Sequence, residues 1–218
     1  MSKIYEVRLD HDLDGASTIV CSRSIGAEGS VRLGELRLGR TARHGALQAD
    51  LVLASALLMF GELMTSTVKV KFPTSSLSRQ SLSAIWGIDI VSDPDTDILF
   101  AAAAPETSSD GVLVISHSLG DITFGDMGQR SLIVLPQDVF NGSIGSLFGL
   151  AVSSNAAYEA TRIHGSENVG IGLVAVGLCM VQAFQASTIR FAESTKSMPD
   201  LNWKQRATLS SMGVKLEN

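Results

Sequence analysis

The segment Phe140–Tyr158 carries no charged residue over nineteen positions, and this feature constrains the fold more than any other in the chain. Small residues recur in it at the spacing of one helical face. These residues are Gly142, Gly145, Gly149 and Ser153. The pattern predicts a helix over Phe140–Ile163 whose small residues let a neighbouring element, or a partner protein, pack closely against it.

The same glycines do not form a recognisable nucleotide loop. A phosphate-binding loop requires G-x-x-x-x-G-K-[ST], and no lysine stands at the required place. A dinucleotide fingerprint requires G-x-G-x-x-G directly after a strand, whereas Gly170 and Gly172 follow a polar turn. One anion site stays open, a helix N-terminus at Asn141–Ser143. The sequence predicts no cofactor.

Composition narrows the class of protein. The chain has 218 residues, 45% of them hydrophobic and 18% charged, which is typical of a globular protein. Its net charge of −5, without any cluster of lysine or arginine, argues against a nucleic-acid partner. The first residues lack the features of a secretory signal, so we expect a cytoplasmic protein. Cys21 and Cys179 lie far apart without a zinc-ligand pattern and are predicted to be buried free thiols.

The first 136 residues alternate between strand and helix patterns. Strands are predicted at Ile4–Leu9, Ser17–Ser22 and Thr67–Phe72, and a change of phase at Gly34–Glu35 predicts a bulge or tight turn. A largely apolar helix is predicted from about Ala42 to Met64. Ser75, Ser76 or Ser78 begins a second helix that Gly87 ends. Further strand-like runs are Ile98–Ala102, Val112–Ser116, Ile122–Phe124 and Leu132–Leu135. This order predicts an α/β fold, a Rossmann-like layered sheet with parallel strands.

A helical hairpin is predicted to follow. Val169–Phe191 contains a long uncharged run, and Gly165 and Ser166 or Asn168 separate it from the preceding segment. Its uninterrupted apolar part, Val169–Val181, is nearer to a buried helix than to a membrane span, so we do not predict a membrane partner. We predict one α/β domain over residues 1–195, with the strand and helix layer in 1–136 and the hairpin in 137–195. Residues 196–218 are predicted to form a short C-terminal segment or docking tail.

The strongest catalytic pattern is the sequence VLVISHSLGD, which resembles the nucleophile elbow of the α/β-hydrolase family over about ten residues. It would place Ser118 as the nucleophile, with Asp138 and His164 following in the chain order of that family. The alternative is that Ser118 lies in a turn between two strands, because the next ten residues have no apolar stripe. That alternative is the interpretation we favour.

A metal site has weaker support. Asp10, Asp12 and Asp14 precede Gly15 and match the first half of a calcium loop. The twelfth position of that loop requires glutamate and is Cys21. A polar turn after the first strand is the simpler interpretation, and we predict no metal.

A wider resemblance covers the segments DLVLASALLMFGELM, VKVKF, DILFAAA, VLVISHSLGDITF and GSIGSLFGLAVSSNAAYEATRI. In this order they resemble the Rossmann-type adenylating domains of the ubiquitin-activating and ThiF-like family, and in particular a half that lacks the nucleotide loop. The chain has no glycine-rich ATP loop and no paired zinc cysteines. The resemblance therefore implies an inactive, pseudo-adenylating module that assembles with a protein partner or with copies of itself in a bacterial ubiquitin-like system. A small serine hydrolase is the alternative function.

Overall fold

The computed structural model describes residues 3–26, 29–39, 47–93, 111–118, 129–140, 142–145, 149–193, 195 and 198–217. Within these ranges the chain is a mixed α/β protein with eleven strands in one sheet, most of them paired in parallel, and five helices. No helix among these residues has both the length and the apolar character needed to cross a bilayer.

The first half of the chain contributes five strands in the order β3-β2-β1-β4-β5. Strand β2 runs antiparallel to both of its neighbours, and β1, β4 and β5 run parallel. The elements are β1 (Ile4–His11), β2 (Ser17–Ser24), β3 (Ser30–Leu38), α1 (Ala49–Phe60), β4 (Thr67–Val70), α2 (Ser76–Trp86) and β5 (Asp89–Ser92).

The second half contributes the order β9-β7-β6-β10-β11, in which every neighbouring pair is parallel, and β8 pairs with β9 in the antiparallel sense. The elements are β6 (Gly111–Ser116), β7 (Gln129–Pro136), β8 (Ser143–Gly145), β9 (Gly149–Ser154), α3 (Ala156–His164), α4 (Val169–Met180), β10 (Ala186–Phe191), α5 (Trp203–Ser211) and β11 (Lys215–Glu217).

The two halves share an order of elements. Leaving β8 and α3 aside, each half has its first three strands side by side and then adds a helix, a fourth strand beside the first, a helix and a fifth strand. The first three strands are antiparallel in the first half and parallel in the second. Helices α1 and α4 take equivalent places and pack against each other, as α2 and α5 do. No repeat is recognisable in the sequence, because the two halves share an order of elements rather than a pattern of residues.

Within the sheet, the halves meet where β3 and β9 end, at the single antiparallel pair Leu38 and Ser154. The side chain of Asn155 extends this short junction. Its Oδ1 accepts from the backbone N–H of Arg37 at 2.8 Å, and its Nδ2 donates to the carbonyl oxygen of Glu35 at 3.0 Å. An amide side chain offers the same donor and acceptor as a peptide group, so it satisfies backbone groups that a longer strand would have paired.

Helix α1 lies at the centre of the core. Ten of its twelve residues are apolar, and contacts with β1, β2 and β3 and with α3, α4 and α5 leave only Ala49 partly exposed. The hydroxyl of Ser55 is satisfied because it donates to the carbonyl oxygen of Ala175 on α4 at 2.9 Å. A helix that is apolar on nearly all sides is stable only when it is covered on nearly all sides, which these contacts achieve.

Several predictions about the first half are confirmed. Ser75 caps α2 by accepting from the N–H of Ser78, and Gly87 ends α2 in the left-handed conformation with φ 68°. The bulge is confirmed as well, since the β2–β3 pairing shifts between Cys21–Gly34 and Ser22–Arg32. The predicted strands Ile98–Ala102 and Ile122–Phe124 lie outside the described residues.

The helix predicted over Phe140–Ile163 is wrong in its first part. Residues Ser143–Gly145 and Gly149–Ser154 are the strands β8 and β9, and α3 begins only at Ala156. Strand β9, GLAVSS, is nearly fully buried, so polar and apolar residues do not alternate along it. An uncharged run of this kind does not distinguish a strand from a helix.

The second predicted helix, Val169–Phe191, is wrong in its last part. Helix α4 ends at Met180, and after a turn in which Gln185 takes a φ of 51° the chain continues as strand β10. The segment 196–218, predicted to be a short C-terminal segment or docking tail, contains α5 and β11. Its Leu209 and Val214 are 3% exposed and belong to the main core.

Candidate functional site

A cavity of about 540 Å³ opens at the carboxyl ends of the parallel strands of the second half. Strands β7 and β9 reach it with their last residues, and His117 lies in it directly after β6. The residues that line it are His117, Val134, Leu135, Pro136, Ser154, Ala157, Ser166, Glu167, Val169, Gly170, Leu173 and Thr195. Open α/β sheets place their ligand sites at this edge.

The chain forms the cavity there because two helices begin beside the strand ends. Helix α3 starts just after β9, and α4 starts at Val169, so that Ala157 and Gly170 of their first turns lie in the wall. The first N–H groups of a helix have no partner within the helix and carry a partial positive charge. The N–H of Ala156 already donates to the hydroxyl of Ser154 at 3.1 Å, so the helix starts contribute their partial positive charge beside the apolar side chains.

The deepest part of the cavity is apolar. Val134 on β7 is 4% exposed and Leu173 on α4 is 2% exposed, and both belong to the main core. They offer a dry surface that can cover the apolar part of a ligand.

The polar groups lie at the rim. Nδ1 of His117 is 3.5 Å from Oγ1 of Thr195, and Oγ of Ser166 is 3.5 Å from Oε2 of Glu167. Ser154 is already engaged, because its hydroxyl donates to the carbonyl oxygen of Arg37 at 2.6 Å and accepts from the N–H of Ala156. The groups placed to orient a ligand are therefore His117, Thr195 and Glu167.

The proposed hydrolase residues do not converge as the elbow pattern would require. His164 is the last residue of α3, and its Nε2 donates to the carbonyl oxygen of Met59 on α1 at 2.8 Å. Its Nδ1 faces Glu62 at 3.9 Å. Asp138 is exposed in the turn after β7, and Ser118 follows β6. Both ring nitrogens of His164 thus face the end of α1, which leaves neither to activate Ser118.

The aspartates of the calcium pattern have arginine partners. Arg8 Nε lies 3.0 Å from Asp10 Oδ2, and Arg37 Nη2 lies 3.3 Å from Asp12 Oδ2 and 4.0 Å from Asp14 Oδ2. A guanidinium therefore stands beside the carboxylates that a cation would need. Over the described ranges there is no group of three or more histidine, cysteine, aspartate or glutamate residues able to hold a metal.

The small residues predicted to share one helical face lie instead on strands. Gly145 is in β8 and Gly149 and Ser153 are in β9, while Gly142 precedes β8 and exchanges two hydrogen bonds with Ser153. Close packing still explains Gly149, because a Cβ there would lie 2.8 Å from the carbonyl oxygen of Ser131 on β7. The predicted interface required these residues to share one face of a helix, and the structure does not place them on a helix.

Both cysteines are buried free thiols, as predicted. Burial raises the pKa of Cys179 to about 12, an effect that the hydrogen bond with Ser55 partly offsets. Burial, together with the nearby carboxylate of Glu159, raises the pKa of Cys21 as well. The thiolate is the nucleophilic form of cysteine, so neither residue is suited to thioester or covalent chemistry at neutral pH.

Comparison of the chain with protein-family models, with curated proteins and with solved structures finds no match in any of the three. No family resemblance is thereby confirmed, so the function has to be argued from the geometry of the molecule.

From the sequence, His117 has only a weak claim to a functional role, and nothing singles out Glu167 or Thr195. The available signal was weak: His117 directly follows a predicted strand, and residues at such strand ends form the sites of parallel sheets. The other two can be assigned to the same edge only when the order of strands and helices is known.

Proposed function

We propose that this chain is a non-catalytic binding module that holds a small organic ligand in the cavity at the ends of β6, β7 and β9. The observation that carries the proposal is the position and size of the cavity. Its volume of about 540 Å³ falls within the range of roughly 300–1,000 Å³ that ligand pockets occupy. An apolar floor with a few polar groups at the rim is also the usual composition of such pockets.

The lining suggests an amphipathic ligand. Its apolar body would pack on Val134 and Leu173, and a hydrogen-bonding group would face His117 and Thr195. The helix starts beside Ala157 and Gly170 add a partial positive charge, while Glu167 favours a donor on the ligand rather than a second negative charge near the rim. These features fit a largely apolar molecule with one polar end.

Filling the cavity tests this function. We expect Nile Red, an uncharged dye, to fluoresce on binding to the protein, because it emits strongly on an apolar surface of this kind. Ala157→Phe places a ring in the cavity and should reduce the titrated dye binding about tenfold, a change of about 1.4 kcal/mol. Thr161→Phe is the control, since Thr161 is exposed on the same helix and does not line the cavity. Equal binding by both variants would contradict the proposal.

Protein assembly is the second function that we propose. It is the role implied by the resemblance to the nucleotide-loop-free adenylating half, and we keep a cytoplasmic location as part of it. The specific observation that favours it is a groove beside strand β11, at the edge of the sheet, whose rim carries two exposed cations. This role and the binding of a small ligand use different surfaces and are compatible.

A serine hydrolase is not the function that the geometry favours. We expect a fluorophosphonate probe to leave the intact mass of the protein unchanged, because His164 is held against Met59 and Glu62. Ser118→Ala serves as the control. An adduct that forms on the native protein and is lost in this variant would restore the hydrolase interpretation.

A further inference from the structure

Strand β11 ends the sheet. In the described part of the chain its only neighbour is β10, with Lys215, Leu216 and Glu217 opposite Thr188–Arg190. Alternate backbone groups of a strand point to opposite sides, so an edge strand leaves N–H and C=O groups that another strand can pair. Three residues are enough for a short pairing.

A groove of about 360 Å³ runs beside this edge, between β11 and helix α5. Its floor is apolar and firmly placed, because Leu201, Leu209 and Val214 are each 3% exposed and belong to the core. Leu216 of β11 packs against the same core from the strand. The residues that line the groove are Met198, Leu201, Arg206, Leu209, Ser210, Val214, Lys215, Leu216 and Glu217.

The rim of the groove is positively charged. Arg206 and Lys215 are exposed, and neither forms an ion pair with another described residue. Nε of Arg206 donates to the carbonyl oxygen of Leu201 at 2.8 Å, which holds the guanidinium at the rim. The one acidic residue in the lining, Glu217, is paired with Arg190 at 2.7 Å and is thereby compensated.

We propose that this groove and edge bind an extended acidic peptide segment of a partner protein. The segment adds a strand to β11, places an apolar side chain in the groove and brings acidic residues to Arg206 and Lys215. Strand addition obtains affinity from main-chain hydrogen bonds and specificity from pockets for alternate side chains, and here the edge and the groove supply both. This inference rests on the assembly role and is independent of the small-ligand cavity.

The first test separates strand addition from simple charge attraction. A fluorescein-labelled peptide of sequence EVELEVE is titrated with the protein at low salt, and its anisotropy is measured. Two further peptides carry N-methyl groups, one on its glutamates and the other on its apolar residues. Since N–H groups of alternate residues face opposite edges, we expect one methylated peptide to lose binding and the other to retain it. Failure of EVELEVE to bind, or an equal effect of both methylation patterns, would overturn the proposal.

The second test locates the site on the protein. Ser210→Trp fills the groove and should abolish peptide binding, whereas Ser211→Trp, on the next exposed position of α5 and outside the groove, should preserve it. Lys215→Glu should weaken binding about fivefold at low salt and less at high salt, as exposed ion pairs do. Equal binding by the two tryptophan variants would place the peptide elsewhere. Because Ser210→Trp should leave the binding of the dye unchanged, failure here is distinguishable from failure of the small-ligand function.

Discussion

Gly172→Ala is expected to destabilise the protein by about 3 kcal/mol, a large overpacking effect. Helix α4 passes the start of α3 at Gly172 so closely that a Cβ there would lie 2.7 Å from the carbonyl carbon of Ala156 and closer still to its oxygen. The obstacle is backbone, and it has little freedom to move. The hydroxyl of Ser154 and the side chain of Asn155, which immediately precede Ala156, are bonded to β3. The free energy of unfolding in urea measures the loss.

Gly177→Ala is the matched control on the same helix. A Cβ at Gly177 would overlap Cδ1 of Ile115, the far end of a flexible side chain that can rotate away. Alanine also favours a helix over glycine by about 1 kcal/mol, which offsets part of the strain. We therefore expect a change of no more than about 1 kcal/mol for this variant. A similar loss in both variants would mean that the approach of α4 to Ala156 is not special.

The close packing of small residues that the sequence suggests is thus real, although it occurs at another place. The prediction put it on a helix containing Gly142 and Gly149, and the structure shows the tight helix contact at Gly172 against α3. Small residues alone do not say whether two helices or two strands approach each other. Gly149 lies against the backbone of the neighbouring strand β7, which requires a small residue for the same steric reason.

The parts of the fold that could be predicted are those with a solvent-facing side. Strand β4 alternates Val68 and Val70, both buried, with the exposed Lys69, and that alternation identifies a strand. Helix α2 carries its own start and stop signals at Ser75 and Gly87. Where both sides are buried, as in β9, polar and apolar residues do not alternate, so the period is not visible. Length and periodicity cannot then distinguish a strand from a helix.

The candidate site was harder to predict than the fold for a topological reason. His117 and Thr195 are 78 positions apart in the chain and meet only because β6 and β10 are neighbours in the sheet. His164 shows the converse case. It follows Ser118 and Asp138 in the chain, as in the α/β-hydrolase pattern, yet its position on α3 directs its ring to the carbonyl oxygen of Met59. The order of motif residues along the chain therefore indicates a function only when the order of the strands shows that those residues meet.

The shared order of elements also allows the starts of the two central helices, α1 and α4, to be compared. In the second half, the start of α4 lines the cavity. In the first half, the equivalent start of α1 carries Asp50, which is 1% exposed and directed at α2. Its Oδ1 accepts from the N–H of Ser75 and its Oδ2 from the hydroxyl of Ser78, both at 2.8 Å. A carboxylate there joins α1 to the first turn of α2.

Asp50→Ala is therefore expected to destabilise the protein by about 3 kcal/mol, the upper end for hydrogen bonds to a charged group. The variant leaves the hydroxyl of Ser78, which is 6% exposed, and the N–H of Ser75 without this acceptor at the start of α2. Asp50→Asn keeps one carbonyl oxygen and should lose less. Asp89→Ala, at an exposed position on β5, is the control and should change the urea midpoint little. If the Asp50 and Asp89 variants unfold at the same urea concentration, the two bonds of Asp50 do not hold α2 in place. The carboxylate of Asp50 would then not be what distinguishes the start of α1 from the start of α4.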